Sequence, residues 1–100
     1  ELKIPMTKKW MASDNIWLQR ICIIFQLKYK TEVDTDLLFK YILELKHSNE
    51  FFIQKACGWA LRQYSKFNPD LVVEFISENP ELSKLTKREG VKYLKKNGIV

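Results

Sequence analysis

Histidine is almost missing from this chain. His47 stands alone, and with only Cys22 and Cys57 beside it there is no full set of zinc ligands and no histidine-based nucleophilic triad. Two cysteines cannot frame a disulfide-stapled mini-protein either. Each falls inside an apolar helical run, so both read as buried, reduced thiols. Long apolar runs are absent: the longest, Ile21 to Phe25, is far too short to cross a bilayer. The first residues lack the charged, apolar and small-residue order of a signal peptide. Three glycines and three prolines leave little turn-rich sequence, and no glycine loop could cradle a phosphate. These absences predict a soluble, cytoplasmic protein with no metal, no cofactor and no membrane partner.

What the sequence does have is apolar material spaced for helices. Hydrophobic residues make up 46% and aromatic residues 13% of 100 positions, enough for one folded domain. The apolar residues recur at spacings of three and four rather than two, which predicts an all-α chain of about six helices. The first runs from Pro5 to Ala12. The second starts at Ser13 or Asp14, both good N-caps, and continues to about Lys30. The third begins near Asp34 or Thr35 and ends near His47. Ser48 caps a fourth, from Asn49 to about Lys66. Asn68 with Pro69 opens a fifth that stops before Pro80. Thr86 and Glu89 form a capping box for the sixth, closed by Asn97 and Gly98. The short connections predict helical hairpins, one pair every ~35 to 40 residues, in the range of HEAT-like repeats stacked as a solenoid. No close repeat of residues accompanies this repeat of shape.

Charge sorts by helix. The formal net charge is +5 and the isoelectric point about 9.3. Residues 13–31 carry Arg20, Lys28 and Lys30 against Asp14, whereas residues 32–50 carry two lysines against five acids. Residues 51–67 hold Lys55, Arg62 and Lys66 with no acid; residues 68–82 hold four acids and no base. Residues 83–100 hold six bases against Glu89. In a stack of hairpins alternate helices form two layers, so the pattern makes one layer basic and the other acidic, as a groove for a polyanion requires. Ordinary solvated faces would give the same alternation by coincidence, and Lys8 and Lys9 on the first helix break it.

Two residues are out of place on their helical wheels. On the fourth helix Ile53, Cys57, Ala60, Leu61 and Tyr64 form the core stripe, and Trp59 projects away from it among Lys55, Arg62, Gln63 and Lys66. Gly58 beside it lets another backbone or a ligand come close. An aromatic ring among bases suits nucleic acid; a ring packed on the next helical pair, as expected for Phe51 and Phe52, is the competing reading. Arg20 lies among Ile16, Trp17, Ile24 and Leu27. There it either pairs with an acid from a neighbouring helix or lines a groove and awaits an anion. Lys87, Arg88, Lys92, Lys95 and Lys96 spread over half of the last helix, a phosphate-binding face or a solvated one. Val91 and Leu94 are too meagre an apolar face for membrane binding. Candidate general acids are weak: Glu50, Asp14 and Asp70 all sit near helix starts, where capping and the helix dipole account for them.

The stretches SDNIWLQR (13–20), FQLKYK (25–30), EFFIQKACGWALRQYSKFNPD (50–70) and LTKREGVKYLKKN (85–97) resemble the AlkD-type family of DNA alkylation repair glycosylases, and specifically its C-terminal half. The resemblance implies a HEAT-like solenoid whose basic concave face holds duplex DNA. It also implies excision of N3- and N7-alkylated purines at the N-glycosidic bond, in a cleft of tryptophans and an aspartate, without base extrusion. By motif, Arg20 and Trp59 belong to that cleft, and Lys28, Arg62 and Lys55 to the DNA contacts. The family's catalytic aspartate and second cleft tryptophan belong upstream of the matched stretches; Asp14 and Trp10 resemble that pair in spacing alone. The implied chain is therefore half a site, inactive by itself. With an uncovered solenoid end near its first two helices, it is also expected to be marginally stable or to self-associate. A reading from another class is a non-catalytic helical module holding DNA or a protein partner. It would bind with weak salt dependence, and without regard to Trp59, if the partner is a protein.

Overall fold

The computed structural model describes residues 8–13, 15–25 and 34–99, and every regular element among them is helical. Residues 8–11 are a helical turn (α1). They are followed by α2 (Ile16–Ile24), α3 (Thr35–Glu44), α4 (Phe51–Ser65), α5 (Pro69–Glu78), α6 (Lys84–Gly90) and α7 (Lys92–Lys96). The all-α expectation holds among the described residues, where the last predicted helix is divided into α6 and α7. Lys28 and Asp14 lie outside the described residues.

Local chemistry explains the boundaries. Asn15, not Ser13, caps α2: its Oδ1 accepts from the backbone N–H of Trp17 at 2.9 Å and of Leu18 at 3.2 Å. Ser13 instead donates its hydroxyl to the Trp10 carbonyl at 2.7 Å. Asp34 caps α3 through Leu37, and Asn68 caps α5 through Leu71 with Pro69 at its first turn. Ser48 does not cap α4. Its hydroxyl accepts from the Glu50 N–H, ahead of the helix, and α4 begins at Phe51 behind Glu50, which makes no side-chain cap bond. Nor does Thr86 begin a helix. Ser83 does so, its Oγ accepting from the Thr86 N–H at 3.1 Å, which puts Thr86 and Glu89 inside α6. The backbone breaks at Val91 (φ −96°, ψ 0°) before resuming as α7. Asn97 and Gly98 do close α7. Gly98 has φ +69°, its N–H bonds the Lys95 carbonyl and the Ile99 N–H bonds the Leu94 carbonyl, the paired bonds of a Schellman ending that favours glycine.

The long helix α4 is the hub. Ile53, Ala56, Cys57, Ala60 and Leu61 are buried at the three- and four-residue spacing of one face, and Tyr64 continues the stripe. The helix packs most extensively on α6, next on α2, and less on its sequence neighbour α5. Helices two apart in the chain thus lie side by side more than consecutive ones do. This brings the basic segments α2, α4 and α6–α7 together. From α3, Leu38, Tyr41 and Ile42 join the core, and Phe39 stacks on Phe75 of α5 with ring centroids 4.0 Å apart. Cys22 and Cys57 are buried thiols, as expected. Burial pushes the Cys22 thiol up to about 11 and the Cys57 thiol up to about 12, so both stay protonated and unreactive in the folded chain.

Two contacts lock α6 onto α4. Gln54, buried on α4, donates its amide to the carbonyls of Leu45 (2.9 Å) and Ser48 (2.7 Å), tying down the chain between α3 and α4. Its carboxamide oxygen accepts from Thr86 Oγ1 at 2.7 Å and Ser83 Oγ at 3.0 Å, so one side chain satisfies two loops and a helix start. One turn along, Gly58 meets α6 so closely that an added Cβ would stand 2.6 Å from Glu89 Cβ and 3.0 Å from the Thr86 carbonyl. The close approach expected at Gly58 is made by this chain's own α6. Among the described residues no helix is long and apolar enough to cross a membrane.

Candidate functional site

Beside these locks, α2, α4, α6 and α7 enclose an open groove of about 470 Å³. Arg20 enters it from α2; Phe51, Phe52, Lys55, Trp59 and Arg62 from α4; Glu89 and Lys92 from the C-terminal helices. Arg20, Trp59, Lys55 and Arg62, set apart from sequence, therefore line one surface, although they come from separate stretches of chain. The geometry follows from periodicity. Positions 55, 59 and 62 fall on the face of α4 opposite the core stripe, and Arg20 is presented by the helix that packs alongside.

Trp59 keeps 40% of its surface exposed although large aromatics are buried wherever packing permits. Phe51 and Phe52 are also exposed, contrary to the expectation that they pack on another helical pair. They form an aromatic step along the groove: Trp17 and Phe52 have ring centroids 5.5 Å apart, and Phe51 meets Phe52 edge-on at 5.3 Å. The Lys55 ammonium stands 5.8 Å from the Phe51 ring. Arg20 is half-buried and lines the groove, and no ion pair joins it to a carboxylate among the described residues.

Glu89 is the residue that sequence reasoning missed. Its side chain is only 9% exposed, yet its carboxylate is on the groove wall, 2.8 Å from Lys92 Nζ and 4.0 Å from Lys55 Nζ. The bond from Lys92, with the fields of Lys55 and Arg88, outweighs burial and holds the carboxyl below its ordinary value of 4.5. It is ionised at neutral pH and fixes two lysines at the rim. The signal available in sequence was slender: the single acid among six bases after residue 83, three residues before Lys92. Trp10 packs partly buried against the core and does not line the groove. Glu50 and Asp70 sit at helix starts as expected. Among the described residues no group of three or more His, Cys, Asp or Glu could hold a metal ion. Chemically, the groove offers ring faces for a base or a cation and guanidinium and ammonium groups for phosphates.

A family model for DNA alkylation repair enzymes matches residues 1–94. The chain belongs to the DNA alkylation repair enzyme family. Among solved structures, this family member is similar to a predicted DNA alkylation repair enzyme from Enterococcus faecalis, at 44% identity and a TM-score of 0.86. The match covers 94% of this chain and 44% of that one, so the chain spans less than half the length of its structural relative. No curated protein matches it. Membership accounts for the all-helical fold of the described residues.

Proposed function

We propose that the chain is the C-terminal part of an AlkD-like alkylpurine DNA glycosylase, a HEAT-like solenoid that holds duplex DNA on the basic layer formed by α2, α4 and α6–α7. The observation that carries this reading is the convergence of Arg20, Trp59, Lys55 and Arg62 on one groove in a member of a DNA alkylation repair family. Arg20 and Trp59 serve the cleft: the exposed indole face suits a cationic N3- or N7-alkylated purine, or the positive charge that develops on the sugar as the glycosidic bond breaks. Lys55 and Arg62, with Lys28, contact phosphates. The carboxylate that would stabilise the sugar cation is supplied from repeats preceding the matched stretches, so release of alkylated base needs them, and the partner of this chain is duplex DNA.

The test is fluorescence anisotropy of a labelled duplex over a salt series, comparing the chain with Trp59→Ala and Arg20→Ala. Binding that weakens steeply with salt and falls further in both variants supports the reading. Salt-insensitive binding, or binding indifferent to both residues, overturns it in favour of a protein-interaction scaffold.

A further inference from the structure

The bases of the C-terminal region share half of a helical wheel but not one environment. Lys87 donates to the Pro80 carbonyl at 2.8 Å. Arg88 and Lys95 lie on the side of α5, along a depression lined by Val73 and Ile76. Lys92 and Lys96 lie on the side of α4, where with Arg62, Lys66, Tyr93 and Asn97 they line a cavity of about 420 Å³.

We propose that this cavity is a phosphodiester-binding subsite for the nucleic-acid backbone that leaves the aromatic groove. The inference rests on the DNA-binding reading above and extends it to residues outside the cleft. Four cations and no carboxylate line the cavity, and gathering like charges is unfavourable until an anion enters. Arg62, Lys66 and Lys96 make no ion pair among the described residues; Lys92 alone is held, by Glu89. The Lys66 ammonium stands 6.0 Å from the Tyr93 ring, so the cavity has a ring wall as well as charges. Arg62 and Lys92 line both the groove and the cavity, which makes the two depressions continuous along one edge. The volume falls within the size of sites that hold small ligands. A strand whose base meets Trp59 has its next phosphates delivered to Lys66 and Lys96, with Arg62 and Lys92 as the shared divide. The lysines on the side of α5 stay off this path.

The test measures binding of an undamaged labelled duplex to the whole 100-residue chain across a salt series. The variants are the double Lys66→Ala with Lys96→Ala and a control double, Lys40→Ala with Lys84→Ala, which removes the same charge elsewhere. For the cavity double, the slope of log Kobs against log salt should become shallower by about 0.9 for each phosphate that is no longer neutralised, hence about 1.8 in all. The control should keep the parental slope. Circular dichroism melts establish that both doubles fold. An unchanged slope in the cavity double, or an equal change in the control, overturns the subsite. If that happens while Trp59→Ala still weakens binding, the DNA-binding reading survives without the subsite. If the parent chain shows no salt-dependent binding, both fall together.

Discussion

The two flanks of α4 are built on opposite principles. Towards α6 the packing is close and polar: Gln54 is bonded to two carbonyls and two hydroxyls, and Gly58 lets Glu89 and Thr86 approach within the space of a methyl group. Towards the α2 side the same helix carries Phe51 and Phe52 half in solvent beside Trp17, and its cations face an open groove. One flank uses its specificity to hold the fold; the other leaves ring faces and charges available. A helix of fifteen residues can serve both ends because its core stripe occupies only part of its circumference.

The contrast is tested most severely at Gln54. Gln54→Leu strands the Ser48 carbonyl and removes the carboxamide acceptor of two hydroxyls, which keep as acceptors only the Gln54 backbone carbonyl and each other, and it should cost about 2–4 kcal/mol in urea unfolding. Gly58→Ala comes next. The gain in helix propensity is about 1 kcal/mol, but the new methyl meets the backbone-fixed Thr86 carbonyl and Glu89 Cβ, so the net effect should be a loss of about 1–2 kcal/mol, read as a lower thermal midpoint. A stabilised Gly58→Ala would mean that α6 is free to move away.

Acid should weaken the chain through its ion pairs. The Lys46 bond lowers Glu81, and the Lys92 bond lowers Glu89, from an ordinary 4.5. Groups lowered on folding stabilise above their unfolded value, and that contribution is lost as pH falls through the folded one. Thermal midpoints measured from pH 6 down to pH 3 should therefore drop below about pH 4.5, and Glu89→Gln should flatten part of the fall. The smallest effect is expected on the open flank. Phe52→Ser should change stability by less than about 0.5–1 kcal/mol. If the exposed rings drive self-association of the chain, it should also lower any concentration dependence in sedimentation.

Much of this was legible in the sequence, for identifiable reasons. The helix period placed Ile53, Cys57, Ala60 and Leu61 inside and Trp59 outside, because burial obeys the same geometry that spaces the residues. Asn68 with Pro69, and Asn97 with Gly98, marked their helix ends because their backbone preferences are local. Ser48 and Thr86 misled because several residues near each helix start are competent caps, and the choice between them is made by distant partners. Thr86 is taken by Gln54, thirty-two residues away, which leaves the cap to Ser83. Glu89 was missed for the same reason. Its burial follows from Gly58 on another helix and half of its role from Lys55, thirty-four residues away, neither of which a local pattern can reveal; only the spacing to Lys92 is local.

The Gly58 contact also works as a ruler. Trp59 follows this glycine in the chain, and Lys92 follows Glu89 by three residues, so the span between the indole and the ammonium across the groove is gauged by a single missing methyl group. A relative carrying alanine there would have to hold its C-terminal helices farther out. It would present a wider mouth with every lining side chain unchanged, so the aperture of this groove can be retuned from a residue that never faces it.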